Sequence, residues 1–442
     1  MQTKREPVGY EMTLLPPVEQ MIPEEYWLRK LNRVLDLSFV HDAVRDRYCQ
    51  DNGRGSIDPE VVIRLFLLYA LTGVRSIREL MREVQVNVAY RWFIKYRVDE
   101  PVPDHSTLSK ALDRFGDAVF DELFARSITQ CQASGLIEGR VLHLDATVIR
   151  ADLDESRVDQ PDSPDPDARL GRFPGDEIAP GYKQHTVVDN RARVVVGLSV
   201  TAADVHESTE AVGMIDQATA RLGETPEVVC ADAAYASGAN RAALEERGVR
   251  LVSPPPKPVT YTGTDYFTTE DFTYDAEADV FECPGGATLQ FIGCATDRPN
   301  RRRYRTSKRT CHGCALREKC TRGNYRTLKV GTHHAALVRL RADSRTESFR
   351  ELYRTRAPAV EGVFAEAKCW HGLRRARWRG LVKVRVQCLL VAAVLNFKRL
   401  ASLPQPVLAT IFAMFVALHR LSRRIERQVS FRWRIPAFAD RG

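Results

Sequence analysis

The order of strand and helix patterns between residues 141 and 253 constrains the fold of this chain most strongly. Three β-rich segments come first, at Val141–Arg150, His185–Asp189 and Arg193–Val200, and the last two flank a turn at Asp189-Asn190. A helix, a strand, a helix and a strand then follow, at 207–222, 227–231, 239–247 and 249–253. This order predicts an α/β fold in which helices flank a mixed sheet.

The residues before this α/β region have a helical pattern. The segment 57–74 opens with the helix-start signal Asp58-Pro59, further helices are predicted from 76 and over 103–116, and Ser106 or Thr107 can cap the last of them. Basic and aromatic residues are interleaved over 91–97. Short helices of this kind fit a helix-turn-helix-like DNA-binding module, and they also fit any small helical bundle.

Changes of composition divide the chain into five predicted segments. The acidic, proline-rich stretch 152–180 is expected to be a mobile loop. The strand order breaks at Pro254-Pro255-Pro256, and turn-rich, basic, cysteine-bearing residues follow. The segments are a helical N-terminal domain, the first part of an α/β core, a cysteine-rich basic insertion, a second part of the core and a C-terminal helix with a basic tail, at 1–135, 139–257, 258–335, 336–402 and 403–442.

The distribution of charge favours a polyanionic partner. The net charge is +8, and basic residues are concentrated at 301–309 (RRRYRTSKR) and 374–385 (RRARWRGLVKVR), as expected for a protein that binds a phosphate backbone. The longest apolar run, Val407 to Leu418, is too short to span a membrane, and the start of the chain does not resemble a signal peptide. We therefore expect a cytoplasmic protein with access to DNA and no membrane partner.

Three carboxylates are candidates for a catalytic site. Asp145 in VLHLDATVIRA and Asp232 in EVVCADAAYAS end hydrophobic strands, although aspartate is a poor strand residue. Ligands bind at the carboxyl edge of open α/β sheets, but a turn or helix-cap aspartate is the alternative for each residue taken singly. Glu361 is on a predicted helix and shares one face with Lys368, seven residues later. Three such carboxylates brought together can hold two divalent cations for phosphoryl transfer.

Cations and histidines accompany these acids in the sequence. Lys183 in GYKQH is a candidate phosphate contact, and the histidines can either assist metal or phosphate binding or serve as structural residues. The residues that surround Glu361 with positive charge are Arg356, Lys368, Arg374, Arg375, Arg377 and Arg379, and the histidines are His143, His185 and His206.

The cysteines of the insertion have the spacing of a structural zinc site. Cys311, Cys314 and Cys320 follow one another closely, and Cys283 lies upstream in the turn CPGG. Cys294 can replace one of the four, and ordinary reduced cysteines are the alternative. Zinc is favoured because residues 257–335 have little apolar material with which to fold unaided.

These motifs together resemble bacterial DDE-type insertion-sequence transposases. The resemblance covers nearly the whole chain and rests on PDHSTLSK, LDATVIRA, the ADAAY turn and the pattern Tyr-x2-Arg…Glu-x6-Lys over 353–368. Two positions depart from the usual pattern. Four residues separate Arg356 from Glu361 where three are usual, and Ala234 stands where a glycine is common.

The resemblance implies an all-α N-terminal domain ahead of an RNase H-like core. It implies that Asp145, Asp232 and Glu361 bind two Mg²⁺ or Mn²⁺ ions, and that Tyr353, Arg356 and Lys368 contact DNA. The implied reaction is metal-dependent cleavage at transposon ends and strand transfer into target DNA by a homo-oligomer bound to the terminal inverted repeats. A zinc-stabilised, sequence-specific DNA-binding protein without catalysis and an RNase H-like nuclease are the alternatives.

Overall fold

The structure, a computed structural model, describes residues 16–48, 56–257, 266–296 and 298–404. The chain divides into two compact units. Unit 1 comprises Met1–Ser134, Cys369–Gly372 and Leu389–Gly442, and unit 2 comprises Gly135–Lys368 and Leu373–Cys388. In the described ranges no helix is both long and apolar enough to cross a membrane. The helix predicted after 403 lies outside the described residues from 405 onward.

Unit 1 is helical, as its sequence pattern predicts. Helix α4 is its central element, because every residue from Val61 to Ala70 is buried. Asp58 caps the start of this helix, and the chain leaves it through Gly73 in the left-handed conformation (φ 66°). The helices of the first part of this unit are α1 (Val18–Met21), α2 (Trp27–Val34), α3 (Val40–Val44), α4 (Pro59–Thr72), α5 (Ile77–Val86), α6 (Val88–Phe93), α7 (His105–Phe115) and α8 (Ala118–Ala133).

The cap of α7 differs from the one expected. Asp104, not Ser106 or Thr107, occupies the N-cap position and accepts a hydrogen bond from the Ser106 backbone N–H at 2.8 Å. Asp104 comes before both hydroxyl residues in the chain, and its carboxylate can already accept from a free N–H group of the first turn. The helix therefore begins earlier than a cap at either hydroxyl residue would allow. Arg91, one of the basic residues of the stretch 91–97, is buried and donates to the carbonyls of Arg97 and Glu100. It therefore stabilises the loop that follows α6.

The core of unit 2 has the RNase H-like strand order that was predicted. Its strands are β1 (Val141–Arg150), β2 (Arg169–Arg172), β3 (Ile178–Asp189), β4 (Val195–Ala202), β5 (Val228–Ala231) and β6 (Arg250–Val252). Their order in the sheet is β2-β3-β1-β5-β6, and β4 also pairs with β3. Strand β3 is antiparallel to both β1 and β4, whereas β5 and β6 are parallel to β1. Helices α9 (Ala211–Leu222) and α10 (Gly238–Glu246) connect the later strands.

Two expectations about this core are wrong. Asp145 does not end its strand, because β1 continues to Arg150 against β3. The acidic stretch 152–180 is also not an unpacked loop. It contains β2, and Asp165 is buried, accepting hydrogen bonds from the Tyr182 hydroxyl and the Gly380 N–H. Asp167 accepts from the Leu381 N–H at 2.8 Å. Partners far along the chain satisfy these polar groups and make their packing possible.

The insertion forms a small sheet with its own apolar core. Strands β7 (Thr273–Asp275), β8 (Val280–Glu282), β9 (Thr288–Cys294), β10 (Arg301–Arg305) and β11 (Thr327–Gly331) pair in sequence order. A short helix, α11 (Lys308–His312), lies between β10 and β11. The expectation of little apolar material is therefore wrong, because one face of the sheet buries Phe272, Phe281, Leu289, Tyr304, Leu328 and Val330.

Helices complete the described chain after the insertion. They are α12 (His334–Asp343), α13 (Glu347–Arg354), α14 (Arg356–Trp370) and α15 (Leu381–Ala401). Phe349 of α13 packs with Cys230 and Val252 at the ends of β5 and β6. Helix α14 follows α13 after a single residue, Thr355, and brings Arg356 to the sheet of the core.

Candidate active site

Two of the three predicted acids lie side by side on the core sheet. Strands β1 and β5 are parallel, and Leu144 is in register with Ala231, so Asp145 and Asp232 occupy the next register positions. Asp232 follows the end of β5 and accepts from the Ala234 N–H at 3.0 Å, capping the 3-10 turn Ala233–Tyr235. The cap role considered from sequence is thus present, and it also fixes this carboxylate beside Asp145.

Asp145 is largely buried and paired with a cation. Its Oδ2 lies 2.8 Å from Nη2 of Arg356, and the two side chains are 14% and 12% exposed. Burial raises the pKa of Asp145 to about 6, although the Arg356 charge lowers it; the nearby carboxylates of Asp232 and Glu207 raise it further. A buried carboxylate of this kind needs positive charge close to it.

Glu361, the third predicted acid, lies on α14 with its side chain exposed. Its neighbour Gly362 faces the β3–β4 turn, where an added Cβ would lie 3.1 Å from Nη1 of Arg193. Within the described residues no three His, Cys, Asp or Glu side chains converge in a geometry that could hold a metal ion. The structure therefore brings Asp145 and Asp232 together without completing the trio.

A pocket of about 720 Å³ opens next to the paired aspartates. Lys183 and Lys368 line it, together with Ala146 and Ala234, which follow the two aspartates in the chain. Burial lowers the pKa of Lys368 and the Arg374 charge lowers it further, whereas the Asp145 charge raises it. Both lysines therefore line the same pocket as the residues that follow the two aspartates.

The other residues expected to contact DNA have varied surroundings. Tyr353 stacks on Phe349 with ring centroids 6.2 Å apart, as part of the apolar cluster beneath β5 and β6. Arg374 and Arg375 are exposed, and their backbone runs alongside Arg150 at the end of β1. Arg377 is half-buried, and its N–H donates to Gln387 Oε1 at 2.9 Å.

The three histidines have structural partners. His143 contacts Asn190 Oδ1 at 2.9 Å, and His185 contacts Thr201 Oγ1 at 3.0 Å. Burial lowers the pKa of His185 to about 4, so it is neutral near pH 7. His206 caps the 3-10 turn Glu207–Thr209 by accepting from the Ser208 N–H. These contacts agree with the structural alternative for each residue.

Two residues near the aspartates were missed in the sequence. Glu207 forms an ion pair with Lys183, whose Nζ lies 3.3 Å from Glu207 Oε1. The negative charge of Glu207 contributes to the raised pKa of Asp145. The Tyr235 hydroxyl is completely buried close to the same charges. The motif ADAAY pointed to Tyr235 as part of a turn, but no spacing or periodicity indicated Glu207.

The four predicted zinc ligands line one pocket of the insertion, about 350 Å³ in volume. They are Cys283, Cys311, Cys314 and Cys320. Burial raises the pKa of the Cys320 thiol, and the charges of the other three sulfurs raise it further. The Ala287 N–H points to Cys283 Sγ at 3.3 Å, and a Cβ added at Gly285 would lie 3.2 Å from Cys314 Sγ. The thiols thus surround a common space without being at bonding geometry.

Family models match two parts of the chain. Residues 16–114 match a transposase domain, and residues 282–401 match a transposase DDE domain. The chain carries the domains of a DDE-type transposase. The second match includes Glu361 and the four cysteines of the pocket, whereas Asp145 and Asp232 lie before it. The resemblance drawn from the motifs is thereby confirmed.

Solved structures similar to this transposase are remote. They include the piggyBac transposase synaptic complex with hairpin DNA (10% identity, TM-score 0.34, 94% of this chain and 87% of that chain). The Mos1 transposase paired-end complex has 14% identity and a TM-score of 0.18 over 46% of this chain and 61% of that chain. A simian T-cell lymphotropic virus intasome in complex with PP2A regulatory subunit B56 gamma has 21% identity and a TM-score of 0.18.

The chain spans about a third of the matched intasome chain (34%), and the match covers 28% of this chain. A comparison with curated proteins gives no match. At such TM-scores the fold of this transposase is judged from its own strand order.

Proposed function

We propose that this transposase cleaves DNA at transposon ends and joins the freed 3′ ends to target DNA, using two Mg²⁺ or Mn²⁺ ions. The observation that carries the proposal is that Asp145 on β1 lies beside Asp232, the residue that follows the end of β5. An RNase H-like sheet with this pair, in a chain that matches a transposase DDE domain, supports phosphodiester chemistry at that edge.

The donor set suits hard divalent cations. Carboxylate oxygens are the ligands that Mg²⁺ prefers, and Asp145 is a largely buried carboxylate whose partner in the structure is Arg356. When bound, the cations would activate the attacking oxygen and stabilise the leaving one. We propose Asp145, Asp232 and Glu361 as their ligands. Glu361 would have to turn toward the two aspartates, because its side chain is exposed in the structure.

The surrounding cations are proposed to bind and orient the DNA strand. Lys368 lines the pocket beside the aspartates and can contact the phosphates that flank the scissile bond. Lys183 lines it as well, but its proposed phosphate contact competes with its ion pair to Glu207. Arg374, Arg375 and Arg377 extend the positive charge along the chain beyond α14. Arg356 already compensates Asp145, so its proposed DNA contact competes with that ion pair.

The insertion is proposed as a second DNA-binding surface. Arg303 and Lys329 are directly opposite each other on β10 and β11, and Arg301 and Arg305 are on the same face. Like charges directly opposite destabilise a sheet, so an anionic partner would relieve them. Arg303 Nε is buried and has no hydrogen-bond partner among the described residues. A phosphate backbone fits such a face.

A structural zinc ion is proposed for the cysteine pocket. Four sulfur donors line the space, a backbone N–H approaches one of them, and Gly285 leaves room where a side chain would intrude. Zinc would tie the CPGG turn to the segment after β10. It would supplement the aromatic core of the insertion rather than replace it.

The catalytic proposal is tested with duplex DNA that carries the inverted repeats flanking the gene. With Mg²⁺ or Mn²⁺ the purified protein should cut at the repeat ends and insert them into a plasmid. Asp145→Asn, Asp232→Asn and Glu361→Gln should each reduce cleavage roughly 10³-fold, because several kcal/mol of metal-based stabilisation is lost. Asp216→Asn is the matched control, since Asp216 is exposed and paired with Arg247 away from the site.

The other outcomes separate the alternative functions. Specific binding to the repeats without cleavage in either metal would favour a DNA-binding protein without catalysis. Cleavage with no preference for the ends and no strand transfer would favour an RNase H-like nuclease. If the aspartate variants cut as well as the wild type, the proposed site is wrong.

The zinc proposal has its own measurement. Protein purified without chelators should contain about one zinc per chain by elemental analysis. Cys311→Ser and Cys314→Ser should lose it, whereas the control Cys369→Ser, outside the pocket, should keep it. The variant Cys294→Ser decides whether Cys294 replaces one of the four. Zinc-free wild-type protein with an intact fold would show that the thiols are ordinary cysteines.

A further inference from the structure

Both carboxylate oxygens of Asp145 are engaged in the structure. Oδ1 accepts from the Ala146 N–H at 2.8 Å, and Oδ2 lies 2.8 Å from Nη2 of Arg356. The acid proposed as a cation ligand is therefore already paired with a cation of the protein. A divalent ion on Oδ2 would stand beside the guanidinium, and like charges repel strongly at short distance in a largely buried site. The ion and Arg356 therefore compete for Asp145.

Arg356 is on the side of α14 that faces the protein interior. It is in line with Val360, Val363 and Ala367, which follow it by four, seven and eleven residues and are all buried. Glu361, five residues after Arg356, points roughly 140° away around the helix and is exposed. The orientation of α14 that places Arg356 on Asp145 therefore leaves Glu361 outside.

The guanidinium of Arg356 is not fully satisfied by this ion pair. Its Nε is buried and has no hydrogen-bond partner among the described residues. Buried donors are normally paired, and an unpaired one is costly. A guanidinium has five N–H donors in a planar fork that matches the oxygens of a phosphate. A phosphate would therefore satisfy donors of Arg356 that Asp145 leaves unpaired.

The charges around the paired aspartates balance without a metal ion. Two of the cations there form ion pairs with carboxylates, and a third lines the same pocket. The carboxylates are Asp145, Asp232 and Glu207, and the cations are Arg356, Lys183 and Lys368. A divalent cation alone would leave this set with excess positive charge. DNA phosphates that arrive with it would remove the excess, so the balance favours joint binding of metal and DNA.

We propose that Arg356 is the counter-ion of Asp145 in the DNA-free protein and exchanges this carboxylate for a DNA phosphate, which leaves Asp145 open to the divalent cation. The inference rests on the proposed function, because it concerns the metal ligand and the DNA strand of the same site. Arg356 is thus a positioning residue that acts through Asp145. The exchange makes metal and DNA binding cooperative, and each ligand tightens the binding of the other by the same factor.

The first test measures the Mn²⁺ affinity of the full chain without DNA, by electron paramagnetic resonance of the free ion. Arg356→Gln should bind Mn²⁺ about 5- to 150-fold more tightly than the wild type, the usual range of coupling between two sites. Damage to the fold would weaken Mn²⁺ binding, so a gain separates competition from a purely structural role of Arg356. Unchanged or weaker binding would overturn the proposal.

Two control variants remove a cation that does not pair with Asp145. Arg250 pairs with Asp343 at 2.6 Å, so Arg250→Gln should keep wild-type Mn²⁺ affinity. Lys368 lines the pocket but forms no ion pair with Asp145 among the described residues. Lys368→Gln should therefore gain less Mn²⁺ affinity than Arg356→Gln. Equal gains would mean that only net charge matters, and the exchange would be wrong.

The second test uses the wild type and does not depend on the folding of a variant. The affinity for a labelled inverted-repeat duplex is measured by fluorescence anisotropy on ice, with and without Mn²⁺ at constant ionic strength. Mn²⁺ should tighten DNA binding of the wild type about 5- to 150-fold, and of Arg356→Gln far less. If Arg356→Gln does not fold, the wild type decides, and a DNA affinity that Mn²⁺ leaves unchanged would overturn the proposal.

The outcomes separate this inference from the proposed function. If the wild type cleaves transposon ends while Arg356→Gln binds Mn²⁺ no more tightly, the inference is wrong and the function stands. If Arg356→Gln gains Mn²⁺ affinity while the wild type cleaves no DNA, Arg356 and the cation compete as inferred and the proposed function is wrong.

Discussion

The RNase H-like core and the insertion of unit 2 differ in whether their charged side chains are buried. The core buries such side chains: Asp145 and Arg356 are 14% and 12% exposed, and Lys183 is 12% exposed beside Glu207. The insertion buries aromatic and aliphatic side chains and carries Arg301, Arg303, Arg305 and Lys329 on the opposite face of its sheet.

The difference indicates what each region is built for. Burying ions costs several kcal/mol per ion unless they are well paired, and such groups concentrate at catalytic sites. Cations on a sheet surface cost little and serve to attract a polyanion over a distance. This contrast fits the proposed functions, which are phosphodiester chemistry at the core and DNA binding by the insertion. Four predictions test this contrast, from the largest effect to the smallest.

Arg356→Met should expose the cost of the buried charge in the core. Asp145 would stay buried without its cation, so the free energy of unfolding should fall by about 3–5 kcal/mol. Mg²⁺ should restore part of the loss, because it replaces the missing positive charge. The measurement is urea unfolding with and without Mg²⁺. The double variant Asp145→Asn/Arg356→Met is the control and should lose less; equal losses would mean that the guanidinium matters only for packing.

Phe281→Ala should damage the insertion alone. Phe281 is completely buried against Tyr274 and Tyr304, with ring centroids 4.7 and 4.8 Å away. Its loss should cost about 3–5 kcal/mol of local stability. Hydrogen exchange should accelerate in β7–β11 while β1 and β3 stay protected. The exposed Phe291 is the control, and Phe291→Ala should change exchange little. Equal acceleration in β1 would show that core and insertion unfold as one unit.

Acid should weaken the insertion through His334. The ring of His334 lies 5.2 Å from that of Tyr274, and burial lowers its pKa to about 4. Because the folded pKa lies below the unfolded one, the stabilisation is complete above about pH 6.5 and is lost as the pH falls toward 4, on the order of 1–3 kcal/mol. His185 in the core has the same shift, so a global unfolding curve reports both.

His334→Gln separates the two histidines. This variant should remove the change in protection factor of the insertion amides between pH 6.5 and 4, and leave that of β3 and β4 unchanged. An unchanged pH profile in the insertion would mean that another group takes up the proton.

The double variant Arg303→Gln/Lys329→Gln should weaken DNA binding modestly. Two phosphate contacts fewer should reduce the slope of log Kd against log salt by about 1.8 in magnitude, at roughly 0.9 per contact. The sheet itself should become slightly more stable, because two like charges no longer face each other. Arg247→Gln is the control, since Arg247 is already paired with Asp216 at 2.7 Å. An unchanged salt slope would exclude this face from the DNA contact.

The sequence predicted most of the elements because their patterns are local. The bounds of β1 were predicted residue for residue at Val141–Arg150, and α4 was predicted from Asp58-Pro59 and its apolar spacing. The position of Asp145 directly beside Asp232 could not be predicted in this way. It depends on where β5 stops alongside β1, and that is decided by tertiary pairing.

The remaining misses have the same origin. The core of the insertion comes from Phe272, just before β7, and from one or two residues in each of β8 to β11, which are three to seven residues long and too short to show a period. Glu207 pairs with Lys183, a residue of β3 that no spacing in the sequence connects with it. The stretch 152–180 packs because Asp165 finds Tyr182 and Gly380, partners that no local pattern indicates.

The contacts of Asp165 and Asp167 also determine when part of the core can form during synthesis on the ribosome. Asp165 accepts from the N–H of Gly380, 215 residues later in the chain, and Asp167 accepts from Leu381 at the start of α15. At a synthesis rate of about 5–20 residues per second, the backbone N–H groups that bind these two aspartates are made roughly 10–40 s after the aspartates themselves. Until then the nascent chain contains every strand of the core sheet but lacks the Gly380 and Leu381 N–H donors, so these contacts form only after translation has passed residue 381.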